Sequence, residues 1–127
     1  MALFFMMLGT ASELYLLDHY EGVQQLIPLL CISISMLLVF ILFFRRTNLI
    51  MSFFKLVLIV TALSGFYGVF LHLRANYEFE QEMKPTANGW DLFLESLSGA
   101  LPTLAPGSMV VLALLGYSYL IFLKQKQ

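Results

Sequence analysis

Charge is scarce in this chain: acidic and basic residues together make up 12% of its 127 positions, about half the share usual in soluble domains. Basic excess is lacking too, since seven Lys and Arg face eight Asp and Glu for a formal net charge of −1. That balance argues against nucleic-acid binding. One cysteine excludes an internal disulfide framework, and its place in an apolar run makes Cys31 a small hydrophobe. Catalytic signatures are missing: there is no GxSxG, P-loop, dinucleotide fingerprint, CxxC or HExxH. What the chain has in excess is apolar surface. Hydrophobic residues account for 60% of it, with eight glycines besides, more than a soluble domain of this length can bury. The expectation is one integral membrane unit whose first partner is the lipid bilayer, and an enzyme is disfavoured.

Three long apolar runs carry that expectation. Residues 26–44, LIPLLCISISMLLVFILFF, hold no charge and as a helix extend about 28 Å, enough to cross a hydrocarbon core. Pro28 is expected in the first turn of that helix, where its missing N–H is harmless. Residues 50–73 form a second run, with Lys55 near one end and His72 near the other, both able to snorkel. Residues 104–123 form a third. The first 17 residues contain only Glu13 as a charge and reach about 25 Å, a short span. A cleavable signal peptide is the rival reading, given the small residues Thr10-Ala11-Ser12, but no basic segment precedes the apolar one.

Charge placement orders these runs. Arg45, Arg46, Lys55, Lys124 and Lys126 share one side of a four-span arrangement with no acid among them. Asp18, Glu21, Glu78, Glu80, Glu82, Asp91 and Glu95 share the other, opposed only by Arg74 and Lys84. The positive-inside rule then predicts both termini in the cytoplasm of a multi-pass protein of the cytoplasmic membrane. The expected fold is all-α: a transmembrane four-helix bundle with an external segment over residues 74–103. In that segment Pro85 and Asn88-Gly89 are breakers. Trp90, Leu94, Leu97 and Leu101 follow at i, i+4, i+7 and i+11, which predicts a three-turn interfacial amphipathic helix.

Several residues carry candidate roles. Thr61-x3-Gly65 and Ser64-x3-Gly68 put small residues on one stretch of the third span, and Cys31-x3-Ser35 does so in the second. The spacing serves either a dimer face or, as favoured here, packing within the bundle. Glu13 is an acid inside a span, so it either faces the bundle as a ligand or anchor or snorkels to the interface. His19, Glu21 and His72 lie on the external side with Glu78, Glu80 and Glu82, which alternate with Phe79 and Gln81. In a strand those three carboxylates share a face; in a helix they scatter. Imidazole with carboxylates suits a divalent transition metal, so His19, Glu21, His72, Glu78 and Glu80, with Glu13 beneath, form a candidate metal set. The bland alternative is a solvated acidic loop with two histidines bonding backbone. Haem or pigment ligation by two isolated histidines has too little support.

ELYLLDHYE at 13–21, followed by HLRANYEFEQEMKPTANGWDLFLESLSGALPTLAPG from His72, resembles a group of small four-span bacterial membrane proteins of uncharacterised role. That group pairs an acidic-histidine segment with an H-x3-N-x-E-F-E-x-E run and an A-x-P-x-L-A-P-G turn. The matching positions are His19, Glu21, His72, Asn76, Glu78, Phe79, Glu80, Glu82, Ala100, Pro102, Leu104, Ala105, Pro106 and Gly107; Ala75 stands where the group often has Gly. The resemblance implies four spans and an external polar unit, and no activity. Two functions are therefore expected in competition. One is a non-catalytic accessory or assembly subunit of a larger bacterial membrane complex, packed against other integral membrane subunits. The other is metal handling or redox chemistry at the His/Glu cluster. A small transporter ranks below both, because the spans offer little polarity at the midplane.

Overall fold

A computed structural model describes residues 1–125; Lys126, counted above among the basic residues, lies outside them. The chain is all-α, with α1 at Ala2–Leu16, α2 at Val23–Phe44, α3 at Asn48–Met83, α4 at Gly89–Leu97 and α5 at Ser108–Gln125, the last preceded by a 3₁₀ turn at Ala105–Gly107. α2, α3 and the segment Ala105–Gln125 are each long and apolar enough to cross a membrane. α1 is apolar but only 15 residues long, or about 22 Å, so it falls short of the 17-residue span expected there. It nonetheless packs on α2 and α5, and its Met7 is fully buried in the common core with Phe54, Leu42 and Leu112.

α3 is the axis of the molecule, touching α2, α4, the 3₁₀ turn and α5. Its 36 residues extend about 54 Å, against a hydrocarbon core of about 30 Å, so its last third stands clear of the apolar zone. The helix therefore continues about ten residues past the apolar run 50–73, into the segment whose strand or helix course the sequence leaves open. Residues 74–83 contain no Gly or Pro, and Arg74 pairs with Glu78 at 2.7 Å while Lys84 lies 3.8 Å from Glu80, both at helical i, i+4 spacing. The stop comes at Lys84, where the following Pro85 disfavours helical backbone. Glu78, Glu80 and Glu82 therefore scatter around the helix rather than sharing a strand face.

α2 also begins earlier than expected, at Val23. The Gln25 side-chain carbonyl accepts the free N–H groups of Glu21 and Gly22, capping that start. Pro28 is consequently in the second turn and removes the donor that would bond the Gln24 carbonyl. α4 starts where the Asn88 side chain accepts from the Asp91 N–H at 2.9 Å. It ends at Leu97, shorter than the three turns expected through Leu101. Leu92 and Ser96 face α3, while Trp90 (67% exposed), Leu94, Leu97 and Leu101 look outward.

The small-residue stripe of α3 meets the entry to α5. A Cβ on Gly65 would lie 2.9 Å from the Pro106 carbonyl oxygen, and one on Gly68 would lie 2.7 Å from Pro106 Cβ. Thr61 is fully buried beside them and donates to the Val57 carbonyl, and the half-buried Ser64 donates to that of Thr61. Both hydroxyls are thus satisfied within their own helix. On α2, Cys31 and Ser35 are buried, and the Ser35 hydroxyl is without a hydrogen-bond partner among the described residues. We predict that Gly68→Ala lowers stability by about 1–3 kcal/mol, because rigid proline ring atoms must give way. Gly9→Ala, where nothing lies within 4 Å of the new Cβ, should be neutral or stabilising in thermal melts of the detergent-solubilised protein.

Candidate functional site

The acidic end of the bundle is built around two side chains one turn apart on α3, His72 and Asn76. Opposite them the turn after α1 is a Schellman closure: the His19 N–H reaches the Leu14 carbonyl and the Asp18 N–H that of Tyr15. Asp18 takes the left-handed conformation, with φ 51°, that glycine usually supplies at this place. The closure sets His19 against His72, with ring centroids 6.4 Å apart and edges facing. His72 Nδ1 lies 3.1 Å from the Pro102 carbonyl. A carbonyl only accepts, so Nδ1 carries a proton and donates. Burial, and secondarily the neighbouring His72, hold the His19 pKa below its ordinary value.

Asn76 is the most heavily bonded side chain of the chain and is only 2% exposed. Its Nδ2 donates to the carbonyls of Ser96 at 3.0 Å and Leu101 at 2.7 Å, and lies 3.0 Å from Thr103 Oγ1. Its Oδ1 accepts the Leu101 N–H at 2.9 Å. Thr103 Oγ1 in turn donates to the Ser96 carbonyl at 3.0 Å. The amide thus does for Leu101 what a partner strand would do, taking up both its N–H and its C=O. This is why α4 stops at Leu97: Leu101's backbone groups go to Asn76 instead of continuing a helix. Gly99 makes the approach possible, since a Cβ there would lie 2.5 Å from Asn76 Cγ. An ion pair, Lys84 to Glu95 at 2.6 Å, ties α4 to the end of α3 on the exposed side and holds the Glu95 carboxyl below the usual carboxylate range.

The candidate metal set does not assemble as expected. The structure brings His19 and His72 together, but among the described residues no group of three or more His, Cys, Asp or Glu is placed to hold a metal ion. The helical course of α3 explains this. It carries Glu78 about 9 Å beyond His72, where Glu78 pairs with Arg74, and turns Glu80 toward Lys84. Glu21 is exposed, with its backbone engaged by Gln25. Glu13 is exposed on α1 rather than directed into the bundle. Asn76 stands in the sequence only among the positions that carry the resemblance, and Ser96, Gly99 and Thr103 become its partners only through a fold-back of 20 residues or more. Comparison with family models, curated proteins and solved structures found no match.

We predict that Asn76→Ala costs about 1–3 kcal/mol, because the part-buried N–H and C=O of Leu101 lose their partner, while the Ser96 carbonyl keeps only Thr103. Hydrogen exchange should then accelerate at residues 96–103 while the spans stay protected. The His19 shift has a defined sign. Its folded-state pKa lies below the unfolded 6.5, so its contribution is intact above that pH and is lost as pH falls through 6.5 toward the folded value. Thermal stability should decline over that window, with a shallower slope in His19→Gln.

Proposed function

We propose that this chain is a non-catalytic accessory or assembly subunit of a larger bacterial membrane complex. It crosses the cytoplasmic membrane four times, with α1 as a short first span and both termini inside. The observation that carries the reading is the cap at the acidic end. There α4 and the 98–103 return are locked to α3 by a fully satisfied amide network, with Trp90, Leu94, Leu97 and Leu101 exposed along one edge. A rigid cap with outward apolar side chains, beside the exposed Asp91 of α4, suits contact with a neighbour at the headgroup level. The polar groups an enzyme would direct at a substrate are here consumed in holding the loop. The spans support the same reading, because apolar side chains such as Phe40, Phe43, Phe53, Phe66 and Phe70 face outward around the bundle and suit either lipid or neighbouring helices.

The metal reading is second. It rests on the His19–His72 pair alone, and requires at least one ligand from outside the described residues.

Native mass spectrometry of the protein extracted from its own membrane in mild detergent tests the first reading. The expected result is a hetero-complex with this chain in fixed stoichiometry. Asn76→Ala should reduce its share of that complex several-fold while the chain still inserts. A homo-oligomer or monomer as the sole species would overturn the proposal. A bound metal mass that disappears in His72→Ala would establish the second reading instead.

A further inference from the structure

At the opposite, basic end, α3 and α5 enclose an open cavity of about 240 Å³ lined by Asn48, Ser52, Lys55, Tyr117 and Lys124, with Leu120 among its apolar walls. Asn48, Ser52 and Lys55 fall at i, i+4 and i+7 on α3, and Tyr117 and Lys124 at i and i+7 on α5, so each helix presents one polar stripe to the cavity. The volume is below the roughly 300–1,000 Å³ of ordinary small-molecule pockets, and suits a compact group.

The five polar side chains share a second property. None takes part in a hydrogen bond or ion pair among the described residues. Elsewhere the pattern differs. Ser33, Thr61, Ser64 and Ser118 return their hydroxyls to carbonyls of their own helices, and Arg74 and Lys84 each hold a carboxylate. No Asp or Glu side chain is available at this end, because the chain contains none between Glu21 and Glu78, nor after Glu95. Lys55 lies seven residues into α3, about 10 Å along the helix, so its ammonium reaches headgroup level by snorkelling. Two ammonium groups beside apolar walls, with no carboxylate paired to them among the described residues, attract an anion from outside.

We propose that this cavity binds a phosphate group, carried either by the headgroup of an anionic phospholipid in the adjacent leaflet or by free phosphate. Lys55 and Lys124 neutralise its charge, and Ser52, Asn48 and Tyr117 supply neutral hydrogen bonds. The proposal does not depend on the subunit reading.

Native mass spectrometry of the purified full chain in detergent, titrated separately with phosphatidylglycerol, phosphatidylcholine and inorganic phosphate, tests it. The expected result is retention of phosphatidylglycerol over phosphatidylcholine, weakened about 30-fold in Lys55→Gln/Lys124→Gln, at about one factor of five per lysine. Arg45→Gln, at the same end but outside the cavity, should bind as the wild type does. Direct binding of inorganic phosphate with the same lysine dependence, displacing the lipid, would identify free phosphate as the source. Retention of neither probe in a lysine-dependent way, or an equal loss in Arg45→Gln, would overturn the proposal. A thermal melt confirms that the double variant is folded, so that loss of binding reports on the cavity.

Discussion

The backbone between α4 and α5 must turn back toward the membrane without a helix or strand to bond it, and Asn76 is what makes that turn possible. Peptide groups of a buried return segment need partners, and an asparagine amide is one of few side chains able to serve an N–H and a C=O of the same residue together. It does so for Leu101, and its second hydrogen reaches Ser96. One turn below, His72 donates to Pro102. Two side chains on one face of α3 thereby fix two consecutive residues of the return, Leu101 and Pro102, after which Pro106 drops onto the bare backbone at Gly65 and Gly68. Entry angle and depth of α5 follow from that sequence of contacts.

This places unusual weight on the part of α3 that leaves the apolar zone. A helix continuing into solvent has little hydrophobic burial to hold it. Here it is held by i, i+4 ion pairs of modest strength and, more firmly, by α4 docking through Leu92 and Ser96. Helix and cap are mutually dependent: α3 supplies Asn76, and the cap supplies the burial that keeps α3 helical to Met83.

The same interdependence decides what was legible in the sequence. The three long spans were readable because hydrocarbon imposes one rule on every residue that crosses it, and their apolar runs obey it without reference to the rest of the chain. The small-residue stripe from Thr61 to Gly68 was readable for a similar reason, since close helix approach needs it locally. The course of 74–83 was not. Its Glu-Phe-Glu-Gln-Glu alternation copies a strand pattern, while the forces that keep it helical come from α4. Nor could the metal set be judged in advance. Whether Glu78 stands beside His72 or beyond it depends wholly on that helix-or-strand choice. The role of Asn76 was not legible beyond its place in the H-x3-N run, because its partners lie 20 to 27 residues away.

The two ends of the bundle differ in a way that charge counting alone does not convey. At the acidic end nearly every polar group near the spans is spent internally: histidine on carbonyl, amide on peptide, lysine on glutamate. At the basic end the donors of α3 and α5 are left facing outward around a cavity, with no acid to meet them. Internal satisfaction yields a surface of fixed shape, because moving it breaks several bonds at once. Donors left open to solvent yield a surface that can take a ligand in place of water. On the proposed readings, the chain would combine a preformed edge, which discriminates by shape, with a basic groove, which discriminates by charge. In a bilayer with anionic lipid on one side, such a groove would favour one leaflet and so bias which way the edge faces.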